Sequence, residues 1–570
     1  MNQELLSKIQ LWKDEPSLDE ELRNELNNLS EDALYDAFYK DIEFGTGGLR
    51  GVLGVGSNRM NKYIVGKATK GFINYLLSRY NDCKNRGVVI SYDCRHKSQE
   101  FAKIASSIIA ATGTKVYMFS NLRPTPELSF AVRYLNCCGG IMITASHNPP
   151  IYNGYKVYDH AGCQLIPEEA DKVIKLINEI SDMFNIESVN FESGVKSGLI
   201  SVIDREVDEA FMNACKTVKV QDLPLSVKKN LKLVFTPLHG TASVSLPSLL
   251  INEGYDLHVV SEQMVADPDF STLESPNPEN KSAFIYSEKL GHEVNADLLV
   301  ATDPDADRMG IGVLANDGTY KYLTGNQTGT ILIDYLAKFK KVNKKGVVLN
   351  TIVTSNSGKA ICDYHNLELV QTLTGFKFIG EQMGYLETND EKEFFFGYEE
   401  SYGYVVADFV RDKDSLQALL LCSEVSCFYK KQGKTLVDVL NEIYDKYGYY
   451  HEDLVNIALA GESGAKTIAK ILDYFRNNVT TELGDMKFIS KEDYKLSTII
   501  KNGKTSQLTL PKSNVLKYTL LDGSWFVLRP SGTEPKMKVY VSANASSLES
   551  AKLVAKTIKD AVLAVVEELK

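Results

Sequence analysis

Residues 139–150 read GGIMITASHNPP, and this stretch decides how the rest of the chain is interpreted. Ile141–Ile143 is a short apolar run behind two glycines, which predicts the end of a buried strand. Asn148 is followed by two prolines, which neither continue a strand ladder nor let a helix start at once. Ser146 is therefore predicted to lie at a rigid corner between strand and loop, where a nucleophile would be held in place. An ordinary Ser-Asn-Pro turn is the alternative.

The elements before this stretch alternate between helix and strand, which predicts an α/β layer. In such a layer, ligands bind beyond the ends of the strands, and the strand that leads to Ser146 ends at such a place. Hydrophobic periodicity predicts helices over 62–80, 98–112 and 126–135 and strands over 88–93 and 116–119.

Two basic residues accompany the Ser146 stretch. Lys156 follows a glycine turn in Asn153-Gly154-Tyr155-Lys156 and is a candidate proton carrier or phosphate partner. Arg50 lies in the glycine-dense segment FGTGGLRG at 44–51, whose backbone N–H groups can approach an anion. Its guanidinium offers a bidentate fork for phosphate. The segment lacks the strand-GxGxxG-helix order of a dinucleotide site.

Composition limits the class of protein. A chain of 570 residues predicts about three to five domains. Its 44% hydrophobic and 24% charged residues are typical of a soluble globular protein. The net charge of −11 argues against a partner such as nucleic acid or an anionic membrane. The nine cysteines do not have the spacing of a zinc site, so we expect them to be reduced thiols. We find neither a secretory signal nor an apolar run of membrane-spanning length, and we therefore expect a cytoplasmic protein.

The remaining periodicity predicts further α/β units after an acidic, amphipathic N-terminal segment of two or three helices. A second unit begins near Leu233, a third near Leu323 and a last near Lys446. The expected helices cover 167–183, 204–219, 325–338, 355–363 and 547–568, the expected strands cover 298–301, 346–352, 394–396, 525–528 and 537–542, and 268–278 is expected to be a loop.

Three aspartates follow the apolar run Leu298–Ala301 at alternate positions, in the segment DPDADR. Pro304 prevents a helix there, so Asp303, Asp305 and Asp307 can face the same way and converge. Three carboxylates with open positions suit Mg²⁺, whereas a solvated acidic turn is the alternative. An EF-hand is excluded, because its sixth position would hold arginine instead of glycine.

Two later loops carry groups suited to a sugar phosphate. Glu399 and Ser401 follow an apolar strand, and a carboxylate and a hydroxyl two residues apart can grip neighbouring sugar hydroxyls; solvated glutamates at a strand end are the alternative. The loop from Arg529 to Lys536, RPSGTEPK, combines an arginine, two hydroxyls, a glycine backbone and a lysine, which suits a phosphate clamp. Phe428 occupies the position where a Walker loop needs glycine.

These loops, in this order, resemble those of the α-D-phosphohexomutases, the family of phosphoglucomutases and phosphomannomutases. The resemblance covers roughly residues 41–570. It implies an α/β protein with three α/β domains and a smaller C-terminal α+β domain around a central cleft. The implied divisions are a helical extension over 1–40 and domains over 41–204, 205–322, 323–445 and 446–570.

The resemblance also implies a role for each loop. Ser146 would carry a phosphoryl group, with Arg50 and Arg308 assisting and either His147 or Lys156 moving protons. Mg²⁺ would bind Asp303, Asp305, Asp307 and the phosphate on Ser146. Family loops often have glycines where this chain has Pro304 and Ala306, but this difference does not change the spacing of the three carboxylates. The residues implied to bind substrate are Arg308, Thr374, Gly375, Glu399, Ser401, Lys413, Arg529, Ser531, Gly532, Thr533 and Lys536.

The implied reaction interconverts glucose 1-phosphate and glucose 6-phosphate through a phosphoserine enzyme, with glucose 1,6-bisphosphate as intermediate and activator. Mannose phosphate or pentose phosphate is the alternative substrate. A phosphatase or a non-catalytic sugar-phosphate-binding protein is a less favoured alternative. We expect a small-molecule sugar phosphate as partner, no nucleic acid, no membrane, and a monomer or weak homodimer.

Overall fold

A computed structural model describes residues 3–45, 47–459, 461–531 and 535–570. The chain divides into two compact units. The first comprises residues up to 325, 342–344 and 376–435, and the second comprises 326–341, 345–375 and 436–570.

The first unit begins with three short helices, where the sequence predicted two or three: α1 (Gln3–Asp14), α2 (Glu20–Asn28) and α3 (Glu31–Phe38). The side chains of Asp19 and Ser30 cap α2 and α3. Trp12, at 1% exposure, packs edge-on against Phe38, Tyr63 and Phe184. The helical extension therefore shares a core with the domain that follows.

The next region is a six-stranded sheet with helices on it. Its elements are β1 (Gly48–Val52), α4 (Lys62–Arg79), α5 (Cys83–Arg86), β2 (Val88–Tyr92), α6 (Ser98–Ala111), β3 (Val116–Phe119), α7 (Thr125–Tyr134), β4 (Gly139–Ile143), β5 (Tyr152–Tyr158), α8 (Pro167–Asn178), α9 (Phe191–Lys196) and β6 (Ile200–Ile203). The strand order is β1-β5-β4-β2-β3-β6. Strands β4, β2, β3 and β6 pair in parallel, and β5 pairs antiparallel with both β4 and β1. The helix expected over 167–183 ends earlier, at Asn178, and in the segment that follows Asp182 accepts hydrogen bonds from the N–H groups of Phe184 and Asn185.

The second sheet of this unit has five strands in the order β11-β10-β9-β7-β8. Strands β8, β7 and β9 are parallel, and β10 and β11 are antiparallel additions. The elements are α10 (Arg205–Cys215), α11 (Leu225–Lys228), β7 (Lys232–Thr236), α12 (Ala242–Asn252), β8 (Asp256–Val259), α13 (Ile285–Val294), β9 (Leu298–Thr302), β10 (Met309–Leu314) and β11 (Tyr320–Leu323), with 3₁₀ turns at Lys216–Val218, Ser261–Gln263 and Lys281–Phe284.

A third α/β region follows. Its elements are α14 (Gly325–Phe339), β12 (Lys345–Thr351), α15 (Ser357–Tyr364), β13 (Glu368–Thr372), α16 (Phe376–Glu387), β14 (Lys392–Tyr398), β15 (Tyr404–Val405) and α17 (Ser415–Lys430). In the second unit β12 and β13 pair in parallel, and in the first unit β14 and β15 pair antiparallel.

The C-terminal region, in the second unit, is an antiparallel sheet with helices. Its elements are α18 (Leu436–Tyr447), β16 (Tyr449–Ala458), α19 (Gly461–Asn478), β17 (Glu482–Leu483), β18 (Met486–Asp493), β19 (Thr498–Lys501), β20 (Lys504–Gln507), β21 (Leu516–Leu520), β22 (Trp525–Pro530), β23 (Lys536–Ala545) and α20 (Leu548–Leu569). The sheet order is β16-β23-β22-β21-β18-β19-β20, and β17 pairs with β18. Phe475 packs against the stacked rings of Tyr518 and Phe526.

The fold class predicted from the sequence, three α/β regions followed by a smaller α+β region, is confirmed. All nine cysteines are free thiols. None of the helices in the described parts of the chain combines the length and the apolar character needed to cross a membrane.

Candidate active site

Ser146 lies in the turn between β4 and β5, at the corner that the sequence predicted. Its φ of +52° places it in the left-handed region, which costs a non-glycine residue roughly 1–3 kcal/mol. Its N–H donates to Oγ1 of Thr144 at 2.8 Å, and its hydroxyl donates to Oδ2 of Asp303 at 2.8 Å. Ser146 is buried, with 4% of its surface exposed.

His147 is a candidate proton carrier, with Nδ1 at 3.1 Å from the Oγ of Ser146. Burial, together with the positive charges of Arg308 and Arg50, lowers the pKa of His147 well below its usual value. The imidazole is therefore neutral at pH 7, which leaves one ring nitrogen free to accept a hydrogen bond, and the same charges make it a weaker base. Arg50 donates to Oδ1 of Asn148 at 3.1 Å, which places its guanidinium beside the same turn.

Asp303, Asp305 and Asp307 converge just beyond β9, as their spacing predicted. Each offers a carboxylate oxygen, and these oxygens lie within 4.8 Å of one another. Ala306, at a φ of +57°, turns the segment back on itself. Burial and the charges of Asp307 and Asp305 raise the pKa of Asp303, because three carboxylates crowd one place.

The donor set of this cluster fits a hard divalent cation. Among the described residues, Oδ1 of Asp305 and Oδ1 of Asp307 are buried without a hydrogen-bond partner. Orphaned carboxylate oxygens in a protein interior are unfavourable unless a cation or water meets them. Three carboxylates with room for a phosphate oxygen are the ligands that Mg²⁺ takes in proteins.

Two lysines face the same carboxylates. Nζ of Lys156 lies 2.7 Å from Oδ2 of Asp305 and 3.5 Å from Oδ2 of Asp307, and Nζ of Lys413 lies 3.1 Å from Oδ2 of Asp307. Burial alone would raise the pKa of Asp305, but Lys156 holds it below the usual value. Burial alone would likewise lower the pKa of both lysines, but the carboxylates raise it, so both stay charged at pH 7.

The aspartate segment is held from three directions. Thr125, at the start of α7, donates from its N–H to the carbonyl of Asp305 at 2.9 Å and from Oγ1 to Oδ2 of the same residue at 3.0 Å. The N–H of Thr241 donates to the carbonyl of Pro304 at 2.8 Å. Ser415 donates from Oγ to the carbonyl of Ala306 at 2.6 Å. No sequence pattern pointed to Thr125 or Thr241, because these contacts join residues far apart in the chain.

The predicted sugar loop is joined to the aspartate segment. Arg308 and Gly403 form an isolated bridge, and the N–H of Met309 donates to the carbonyl of Tyr402 at 3.0 Å. Glu399 is 4% exposed, and its N–H donates to the carbonyl of Gly403 at 2.9 Å. Ser401 lies in the same loop between β14 and β15 and is partly exposed.

Arg308 has a partner that the sequence analysis missed. Its Nη1 donates to Oε1 of Glu279, which lies one residue beyond the loop predicted over 268–278. Burial alone would lower the pKa of Arg308, but Glu279 and Asp307 raise it. The Pro-Asn-Pro-Glu sequence predicted only the loop, because nothing local shows that its glutamate reaches an arginine 29 residues later.

The remaining predicted residues belong to the second unit. Thr374 and Gly375 lie between β13 and α16, with Gly375 at a φ of +119°. Arg529 lies near the end of β22 and Lys536 at the start of β23, and the N–H of Ser531 donates to the carbonyl of Lys536 at 2.7 Å. Gly532 and Thr533 lie outside the described residues. The approach of these groups to Ser146 stays a prediction.

Comparison with known families gives four matches in chain order. Family models for phosphoglucomutase/phosphomannomutase match as α/β/α domain I over 41–183, domain II over 209–316, domain III over 324–447 and the C-terminal domain over 454–560.

Whole-chain relatives agree with these matches. The chain is 38% identical over 550 residues to a phosphoglucomutase of Staphylococcus epidermidis, covering 96% of this chain and 98% of the relative. It is 39% identical over 510 residues to a phosphoglucomutase of Staphylococcus aureus, covering 89% of this chain and 90% of the relative.

Solved structures share the fold. The phosphoglucomutase pp63/parafusin of Paramecium aligns with a TM-score of 0.68 and 18% identity, covering 93% of this chain and 96% of that one. A phosphoglucomutase/phosphomannomutase family protein of Burkholderia thailandensis aligns with a TM-score of 0.67 and 16% identity, covering 92% and 97%.

Proposed function

Because the chain belongs to the phosphoglucomutase/phosphomannomutase family, we propose that it is a phosphoglucomutase, which interconverts α-D-glucose 1-phosphate and glucose 6-phosphate. The observation that carries this proposal is the buried Ser146 hydroxyl, hydrogen-bonded at 2.8 Å to the first of three converging aspartates. The choice of glucose rests on the relatives named phosphoglucomutase. Unpaired cysteines support a cytoplasmic location.

In the half-reaction that phosphorylates Ser146, the bond between the sugar oxygen and phosphorus breaks and a bond from Oγ to phosphorus forms. His147, neutral and 3.1 Å away, is the candidate that accepts the hydroxyl proton of Ser146 when that hydroxyl donates to Nδ1 instead of to Asp303. Lys156, charged at pH 7, is the candidate that protonates the departing sugar oxygen. In the reverse half-reaction the phosphoryl group passes to the other sugar hydroxyl, that hydroxyl gives its proton to Lys156, and His147 returns its proton to Oγ. In the catalytic cycle the phosphoenzyme reacts first: transfer from Ser146 to the free hydroxyl of the bound monophosphate gives glucose 1,6-bisphosphate, which turns over and phosphorylates Ser146 again with its other phosphate.

The family uses a metal ion, and Asp303, Asp305 and Asp307 are its candidate ligands here. We propose Mg²⁺, which when bound neutralises charge on the phosphoryl group that is transferred. Arg308 and Lys413 add positive charge at the same place. Glu399 and Ser401 would grip the sugar hydroxyls, helped by Thr374 and Gly375.

The phosphate that does not react needs a second binding place. We propose the turn between β22 and β23 for this role, because Arg529, Ser531 and Lys536 gather a guanidinium, a hydroxyl and an ammonium group within a few residues, with Gly532 and Thr533 between them.

A substrate comparison tests the proposal. Equal concentrations of glucose, mannose, glucosamine and ribose 1-phosphates are incubated with the enzyme, Mg²⁺ and a trace of glucose 1,6-bisphosphate, and the isomeric phosphates and inorganic phosphate are measured. We expect glucose 6-phosphate to form fastest, without release of inorganic phosphate. A clear preference for the mannose or ribose ester would overturn the choice of glucose, and net release of phosphate would indicate a phosphatase.

A further inference from the structure

The side chain of Arg95 donates several hydrogen bonds to the main chain around Ser146. Its guanidinium donates to four carbonyl oxygens of this one turn, at 2.6 Å to Ser146, 2.5 Å to Asn148, 2.9 Å to Pro149 and 3.1 Å to Tyr152. The residue is only 3% exposed. Four carbonyl dipoles that point at one place repel one another unless a cation with several donors fills it, and the planar fork of arginine does so.

Arg95 is itself held in place from two sides. Its Nε lies 3.3 Å from Oδ2 of Asp93, while Oδ1 of Asp93 accepts from the N–H of Arg95 at 2.9 Å and from Oγ of Ser98 at 2.7 Å. The ring of Phe270, in the loop before α13, covers the guanidinium at 5.0 Å. The side chain of Arg95 is thus anchored to the end of β2 and has little freedom.

We infer that Arg95 is a positioning residue: it fixes the left-handed turn at Ser146 so that Oγ stays in line for phosphoryl transfer. The inference rests on the proposed function, since it concerns the nucleophile of that reaction. The strained φ of +52° at Ser146 is tolerated only if the carbonyl groups around it keep their hydrogen bonds in this arrangement. A lysine in place of Arg95 keeps the charge beside Asp93 but offers three donors from one point, too few for four separate carbonyls.

The test is Arg95→Lys, compared with Arg86→Lys. Arg86 makes the same kind of contact at the opposite end of β4, donating to the carbonyls of Asn136 at 2.9 Å and Cys137 at 3.1 Å. Because a displacement of about 1 Å costs roughly a hundredfold in rate, we expect Arg95→Lys to lower kcat by about that factor. The KM for glucose 1-phosphate and the Mg²⁺ requirement should stay as in the unaltered protein. Arg86→Lys should keep its kcat, whatever it does to the melting temperature.

A second readout separates positioning from general loosening. The phosphoenzyme is prepared with glucose 1,6-bisphosphate, and transfer of its phosphoryl group to glucose 6-phosphate is compared with loss to water. We expect Arg95→Lys to shift this partition toward water. If Arg95→Lys does not fold, Asp93→Asn replaces it, because it keeps the shape of the anchor and removes only its charge; a smaller shift in the same direction is expected.

An unchanged kcat and partition in Arg95→Lys, or an equal loss of kcat in Arg86→Lys, would overturn the inference while the mutase reaction of the unaltered protein stands. If the unaltered protein carries no phosphoryl group on Ser146, the proposed function fails first, and the two failures are thereby told apart.

Discussion

A substitution at Glu399 tests sugar binding separately from phosphoryl transfer. Glu399 is buried, and its charge adds to that of Asp307 in raising the pKa of both Lys413 and Arg308, so it lies near the cations of the site without being one of the converging aspartates. A buried hydrogen bond to a charged group is worth about 1.5–3 kcal/mol.

We therefore expect Glu399→Gln to lower kcat/KM roughly ten- to a hundredfold. The loss should be similar for the 1-phosphate and the 6-phosphate, because the bisphosphate is held in two orientations. Steady-state kinetics in both directions measure it. Glu400→Gln, the same change one residue on, is the control and should stay near the unaltered value. If Glu399→Gln left the rates in both directions unchanged, or removed metal binding, this loop would not be the one that holds the sugar.

At the scale of elements, the segment after β9 is predicted to bind the metal. Chelation should abolish turnover and Mg²⁺ should restore it. Asp305→Asn should raise the Mg²⁺ concentration needed for half-maximal rate by at least about tenfold to a hundredfold, as even residues that only support a metal ligand have effects of that size. Asp297→Asn, at the opposite end of β9 and paired with Lys430 at 2.6 Å, is the matched control. Full activity in excess chelator would rule the assignment out.

The start of α17 gives a prediction about pH. Asp414 caps this helix through Oδ1, is fully buried, and burial raises its pKa to about 7. The folded protein therefore holds a proton there that the unfolded chain releases near pH 4. Its contribution to stability is complete below that pH and is lost as pH rises through 7. Asp414→Asn keeps the capping oxygen, so its melting temperature relative to the unaltered protein should rise between pH 5 and pH 8. A difference that does not change with pH would contradict this.

Helices and strands were predicted from the sequence where the hydrophobic periodicity agreed with the residues that typically begin or end such elements. The helix predicted over 62–80, for example, is observed as Lys62–Arg79. The aspartate cluster followed from alternation after a buried strand. Two antiparallel strands, β10 and β11, were not predicted. The helix Ala242–Asn252 was not predicted either, because it contains Pro247 and an internal proline argues against a helix unless packing supports it. Arg95 was missed because its partners are main-chain carbonyls, which no side-chain pattern reveals.

At the scale of the whole molecule, the N-terminal helices belong to the core of the first unit. Leu26, at 1% exposure, is part of the buried cluster around Trp12, whereas Leu11 on α1 is 59% exposed. Leu26→Ala should destabilise this unit by about 2–5 kcal/mol, and Leu11→Ala should stay within about 0.5 kcal/mol.

The two tryptophans make this measurable, because Trp12 lies in the first unit and Trp525 in the second. In a Trp525→Phe background, fluorescence during urea unfolding reports the surroundings of Trp12 alone. Equal midpoints for the two leucine variants would show that the helical extension contributes nothing to this core. The domain boundaries at 40, 204, 322 and 445, and the monomer or weak homodimer, remain predictions.

The central claim is that Ser146 carries the phosphoryl group through the catalytic cycle. The most direct measurement is peptide mapping by mass spectrometry after incubation with glucose 1,6-bisphosphate, and again after addition of glucose 6-phosphate. We expect one phosphoryl group on the peptide that contains Ser146, its removal by the sugar phosphate, and its absence together with nearly all turnover in Ser146→Ala. The control is Ser106→Ala, a buried serine of α6 whose hydroxyl donates to the carbonyl of Ala102 and contacts Sδ of Met118, and this variant should behave as the unaltered protein. A phosphoryl group on another residue, with turnover intact in Ser146→Ala, would contradict the mechanism.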